Sequence, residues 1–206
     1  MFPSKKKTRI RQRAADPTSP EDSSSLYSYS TIDEILGKCR EDFSQEKDHT
    51  SPSVVVALNH VEDPRNLGAV VRTSEALGVR GVIIPKQRAA GMTQWAIQSS
   101  CGAAKLIPIA RVTNIAETLN HFKAKGFWVI GLSESAPIPY FSKTYEGKFV
   151  VVAGGENVGL GTRVKDCCDD LVSIPMLGKT PSLNLSVSVA IVLAEIFRKT
   201  TSLKLR

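Results

Sequence analysis

Histidine is scarce in this 206-residue chain: His49, His60 and His121 are the whole set. One lies near the amino terminus and one in the middle of a helical pattern, so only His60 stands near a strand end. Neither a hydrolase triad nor a metal centre can be assembled from them. Cysteine is equally sparse: Cys39, Cys101, Cys167 and Cys168 have neither metal-ligand nor redox-motif spacing, which predicts reduced, structural thiols. No run of about eighteen apolar residues occurs, and the amino-terminal "MFPSKKKTRIRQR" has no apolar segment of the secretory kind. These absences predict an intracellular protein with no membrane span.

Three familiar templates are also missing. "AGGENVGLG" spaces its glycines at Gly154, Gly155, Gly159 and Gly161, which does not fit the dinucleotide fingerprint. Gly178-Lys179-Thr180 hints at a phosphate loop, but Ser173 stands where that motif needs its first glycine. "GLSES", residues 131–135, resembles a nucleophile elbow until Ser135 replaces the final glycine.

What is present begins with charge. The formal net charge is +7. Residues 1–52 hold nine Lys/Arg against nine Asp/Glu, so the eighteen against eleven in residues 53–206 carry the surplus. A polyanionic partner is therefore expected to meet the globular part itself. Within the leader, Lys5, Lys6, Lys7, Arg9, Arg11 and Arg13 form a basic block. A solvated tail, a nucleic-acid arm and an organellar transit peptide all remain open for it. "AADPTSPEDSSSLYSY", residues 14–29, is Ser/Pro/Asp-rich and predicts disorder. Residues 31–43 then predict one short amphipathic helix capped by Thr31 or Asp33.

From Ser53 the texture changes to that of an α/β domain. Nearly continuous β-rich runs occur at 53–58, 81–85, 127–132, 148–154 and 171–175, as strands covered on both faces require. Helical patterns over 66–78, 92–102, 113–126 and 185–199 separate or follow them, with Gly78 and Gly126 at two helix ends. The expected architecture is a mostly parallel sheet flanked by helices, with ligands bound beyond the carboxyl ends of its strands.

Single polar residues mark the glycine-bearing loops at those ends: Asn66 and Arg72 after the first strand, Glu156 and Asn157 after "FVVVAGG", and Ser182 and Asn184 after "LVSIPMLGKTP". Each has a plain reading. Asn66 can cap a helix, Arg72 can be an exposed helix charge, and Glu156 can be a first-turn acid favoured by the helix dipole. Ser182, Asn184 and Ser186 can be a capping cluster for the last helix, the reading preferred for Ser186 and Ser188 but not for Asn184. Their joint occurrence at successive strand ends of one sheet points instead to a site.

These residues carry a family resemblance. "DPRNLGAVVRTSEALGVRGVIIPK", "VVAGGENVGLG" and "IPMLGKTPSLNLSVSVAIVLAE" resemble, in order and spacing, the three motifs of the SpoU-type (TrmH-like) RNA ribose 2′-O-methyltransferases of the SPOUT superfamily. The similarity runs from about Val54 to Arg198 and is closest to the bacterial subgroup that methylates a guanosine ribose in 23S ribosomal RNA. It implies a methyltransferase domain over residues 53–206, preceded by a basic, largely disordered leader over 1–52 with its one short helix. It also implies a carboxyl-terminal deep trefoil knot, which general topology rules alone would not suggest.

The resemblance implies S-adenosylmethionine as cofactor, wrapped by the loops after Ala153 and Ile174. Gly154, Ile174 and Leu183 would contact it largely through backbone groups, with Met176, Glu156 and Gly159 close by. Arg72 would be the catalytic residue, among Asn66, Glu156, Ser182 and Asn184. Because an arginine is a poor general base, the physically easier role for Arg72 is electrostatic, acting through a nearby phosphate. Further implications are an RNA substrate, with ribosomal RNA the first reading and a transfer-RNA ribose the alternative, a homodimer, no metal and a cytoplasmic location, or an organellar matrix if the basic block is a transit peptide. A non-catalytic RNA-binding or ribosome-assembly factor with the same fold is the alternative from a different class.

Overall fold

The protein is described by a computed structural model covering residues 27–44, 52–155 and 158–200. The basic block, the Ser/Pro-rich stretch before Tyr27, and Glu156 and Asn157 lie outside the described residues.

Seven strands form one sheet: β1 (Ser53–Asn59), β2 (Gly81–Pro85), β3 (Ile109–Val112), β4 (Trp128–Leu132), β5 (Ile138–Pro139), β6 (Lys148–Gly154) and β7 (Asp170–Ser173). Their order is β3-β2-β1-β6-β4-β7-β5, and each neighbouring pair is parallel. The α/β architecture read from the continuous apolar runs is the one observed. All seven residues of β1 are buried, since side chains pointing to either face of a central strand meet helices.

Val54, Val56 and Leu58 enter one apolar layer, where they meet Leu67, Val70 and Val71 of helix α2 (Pro64–Ala76) and Val189, Val192 and Leu193 of α6 (Leu185–Thr200). Val55 and Ala57 enter the opposite layer with Leu119 and Phe122 of α4 (Ile115–Ala124), Val164 of α5 (Thr162–Asp166), and Ile35 and Leu36 of α1 (Ile32–Ser44). The sixth helix, α3 (Gln94–Ser99), lies against α2.

Two strands were not legible in sequence. β3 is a four-residue strand, and β5 is a two-residue edge ending at Pro139, too short for either to show a period. The helix expected over 31–43 is α1. Thr31 caps it: its hydroxyl accepts from the Glu34 amide at 3.2 Å while its own amide donates to Glu34 Oε2 at 2.9 Å. This reciprocal pair satisfies two of the donors that a helix start leaves open. Ile35 is wholly buried over Gly81, where a Cβ would come within 2.7 Å of its side chain. Upstream, Ser30 donates its amide to Ile109 O at 2.9 Å, and the Tyr27 hydroxyl donates to Ala104 O at 2.7 Å. The segment from Tyr27 through α1 therefore packs on the body of the fold. Gly78 and Gly126 take left-handed φ values of 71° and 82° just past α2 and α4, where their missing Cβ removes the strain.

Candidate functional site

β1 and β6 run side by side, with Asn59 opposite Gly154 at their carboxyl ends. Beyond that edge a cavity of about 350 Å³ opens among three loops, those following β4, β6 and β7. This is where the carboxyl-end rule for parallel sheets places a ligand. Its volume falls in the range that small-molecule sites occupy, roughly 300–1,000 Å³.

The wall after β6 is built by close backbone approach. Gly155 donates its amide to Asn59 O at 2.8 Å, and Gly159, at φ 61°, donates to Gly155 O at 2.8 Å, folding the loop back on its own strand. A Cβ on Gly154 would overlap the Gly159 carbonyl, and one on Gly155 would overlap the His60 carbonyl oxygen. Side chains are excluded there, so the wall is lined largely with backbone.

The loop after β7 supplies the facing wall through Ile174, Met176, Ser182 and Leu183. Past Leu183 the chain enters α6, and Asn184 organises that entry. Its Oδ1 accepts from the Ser186 amide at 2.9 Å and from the Ser186 hydroxyl at 2.6 Å, which caps the helix. Its Nδ2 then donates to Asn66 Oδ1 at 3.0 Å, linking residues 118 apart in sequence. Asn66 itself is not the cap of α2. Asp63 holds that place, its carboxylate accepting from the Arg65 amide at 2.8 Å. A second cavity of about 220 Å³, lined by His60, Glu62, Asp63 and Asn66, shares Gly155, Val158 and Leu185 with the first. Asn66 thus lines the smaller of two cavities that share a wall, and Asn184 is bonded to it.

The SpoU rRNA Methylase family pattern matches residues 53–194. The chain belongs to that family. Over 173 residues it is 39% identical to YacO of Bacillus subtilis, a protein named for the TrmH family of tRNA/rRNA methyltransferases; the match covers 84% of this chain and 67% of that one. The SpoU methyltransferase AviRb of Streptomyces viridochromogenes superposes with a TM-score of 0.72 at 24% identity, over 84% of this chain and 62% of its own. An AdoMet-bound rRNA methyltransferase of Sinorhizobium meliloti superposes at 0.68 with 28% identity, over 77% of this chain and 62% of its own. This chain therefore spans less than two thirds of the length of both solved neighbours.

Residues 53–194 thus form a SpoU-type RNA methyltransferase domain, and S-adenosylmethionine is the cofactor of its family. Gly154, Gly159, Ile174, Met176 and Leu183, the described members of the expected cofactor set, all line the larger cavity. Ser182 lines it as well, while Asn66 lines the smaller one and bonds Asn184. Glu156, assigned to both sets, lies outside the described residues. Arg72 lines neither cavity. It is exposed on α2, and its Nη1 donates to Cys101 Sγ at 3.3 Å.

Sequence reasoning passed over the loop after β4, setting "GLSES" aside as a failed elbow. Leu132, Ser133, Glu134 and Ser135 in fact form a wall of the larger cavity, and Lys165 of α5 joins them. The signal available was position, because the loop ends a strand of the same sheet. Among the described residues, no three His, Cys, Asp or Glu side chains cluster as a metal would need, and no helix is long and apolar enough to cross a membrane. Burial pushes the Cys168 thiol up to about 12, with Cys167 and Asp169 adding to the shift, so it stays protonated and inert near neutrality.

Proposed function

We propose that this protein transfers a methyl group from S-adenosylmethionine to a ribose 2′-hydroxyl of RNA, with a guanosine of 23S ribosomal RNA as the target. The carrying observation is the Asn66–Asn184 hydrogen bond, which ties the first motif to the third beside the glycine-walled cavity. The cofactor fits what is present. The backbone-lined wall at Gly154 and Gly155 suits a narrow, bent ligand, and Glu134 and Lys165 bring one charge of each sign to the lining, matching a zwitterionic amino-acid end.

When bound, the cofactor supplies the activated methyl group, and the residues of the chain supply position. Asn66, Asn184 and Ser182 orient the hydroxyl at the junction of the two cavities, whose apolar lining around Leu183 and Leu185 limits water. Glu156 contributes the carboxylate of the set. Arg72, exposed and outside both cavities, holds an RNA phosphate next to the reacting ribose, a task suited to a permanent cation.

We also propose a homodimer in the cytoplasm, with the loops after β6 and β7 forming the trefoil knot. Support for the dimer comes from exposed apolar side chains around the site: Val158, Met176 and Leu177 on the loops and Val187 on α6. Such a group of exposed side chains favours cover by a partner. The knot reading draws support from those two loops enclosing one cavity.

The test is transfer of labelled methyl from S-adenosylmethionine to bulk ribosomal and transfer RNA, followed by mapping of ribose-methylated positions. The expected result is label in large-subunit RNA, abolished by Arg72→Ala with cofactor affinity retained. Label confined to transfer RNA would move the substrate. Cofactor binding without transfer to either would replace the enzyme with a binding factor.

A further inference from the structure

Two exposed side chains beside the smaller cavity have no part in holding the methyl donor. Trp95, in the first turn of α3, is 44% exposed and so presents much of its ring to solvent. The Arg65 guanidinium lies 5.6 Å from the centre of its ring. Gly68 creates this neighbourhood, because a Cβ there would come within 2.6 Å of Ser99 Cβ, so α2 and α3 meet almost backbone to backbone. Arg65 also immediately precedes Asn66, whose side chain bonds Asn184. Arg65 therefore links the aromatic face to the helix that carries Asn66 onto the wall of the smaller cavity.

The surroundings are basic. Lys86 and Arg88 are exposed on the loop after β2, and Ala90 ties that loop to the cavity wall by donating its amide to Val61 O at 2.6 Å. Two acids are adjacent: Asp63 is engaged at the cap of α2, and Glu62 is exposed on the wall of the smaller cavity, so the basic side chains outnumber the acids there rather than standing alone. A cation-flanked aromatic face suits a ligand with a flat π surface and a negative backbone. An apolar protein partner would have to desolvate Arg65, Lys86 and Arg88 instead. Paired RNA hides its bases and single strands expose them, so the match is to an unpaired stretch.

We infer that Trp95 and Arg65 form a stacking platform for an unpaired base flanking the methylated nucleotide, with Lys86 and Arg88 following the backbone phosphates. This rests on the RNA-methyltransferase reading and adds to it a surface for choosing single-stranded targets.

The chain has two tryptophans, and Trp128 sits at the amino end of β4, away from the cavities, its indole donating to Asp170 at 2.6 Å. Trp128→Phe in the full chain therefore leaves Trp95 as the sole indole reporter. Titration with a short single-stranded oligoribonucleotide should quench its fluorescence saturably, and the matched duplex should quench far less. Trp95→Ala should raise the half-saturating RNA concentration about 5- to 150-fold, the usual range for losing one base stack, and Trp95→Phe should restore most of it. Arg65→Ala should weaken binding in the same direction. Cofactor affinity and thermal midpoint should stay unchanged in all three. Unchanged RNA affinity in Trp95→Ala, or flat fluorescence while a filter assay shows RNA bound, overturns the platform. Quenching without methyl transfer overturns the enzyme reading alone, and transfer without quenching overturns the platform alone.

Discussion

Gly154 tolerates no side chain unless the loop opposite gives way. The clash partner is the Gly159 backbone, which cannot swing aside as a flexible side chain would. Gly154→Ala should weaken S-adenosylmethionine binding by at least about tenfold, measured by calorimetry, because the loop that walls the cavity must move. The two asparagines separate differently. Asn184 caps α6 and also holds Asn66, whereas the cap of α2 is Asp63 and not Asn66. Asn184→Ala should lower both methyl transfer and stability, the latter by about 1 kcal/mol for the lost cap, while Asn66→Ala should lower transfer more than it lowers the thermal midpoint. Asp170 offers a pH test. Burial pulls its carboxyl up, but hydrogen bonds from Lys143 and Trp128 outweigh that and hold it below its ordinary value. A depressed carboxylate stabilises the fold at pH above its unfolded value, about 3.9, and the contribution is lost as pH falls through the folded one. Urea midpoints should therefore drop between about pH 5 and 3 in the wild type, and Lys143→Met should flatten the drop.

At the scale of elements, α1 stands out. Its residues precede the family-matched region, which starts at residue 53, yet Ile35 is fully buried and Cys39 nearly so. Ile35→Ala should cost about 2–5 kcal/mol by chemical denaturation, the range for deleting a large buried side chain that cannot be replaced. An effect below about 0.5 kcal/mol would mean that α1 merely rests on the sheet. The amphipathic period and Thr31 announced this helix in the sequence. Its docking over Gly81 was not announced, because a missing Cβ does not name the side chain that fills its place. β3 and β5 escaped for a related reason. Strands of four and two residues carry too few positions for alternation or continuity to register, and their identity comes from hydrogen bonds to β2 and β7.

At the scale of the whole molecule, the surplus of positive charge in residues 53–206 gives a direct prediction. RNA affinity should fall linearly on a log–log plot as salt rises, with a slope set by the number of phosphates contacted, and neutralising Arg72, Lys86 or Arg88 should each reduce the slope by about 1. A salt-independent affinity would place binding on other forces. The amino-acid sequence by itself determined the α/β class, since runs such as "SVVVAL" are apolar at consecutive positions only where both faces of a strand are covered. It also determined which glycines and polar side chains gather at the strand ends, because their types and spacing are local properties. Only the tertiary structure decided that the loop holding "GLSES" walls the cavity, that Asp63 rather than Asn66 caps α2, that Asn66 meets Asn184, and that Arg72 lines neither cavity. Those are relations between segments far apart in the chain. Periodicity reports whether a residue is covered, and packing alone chooses what covers it.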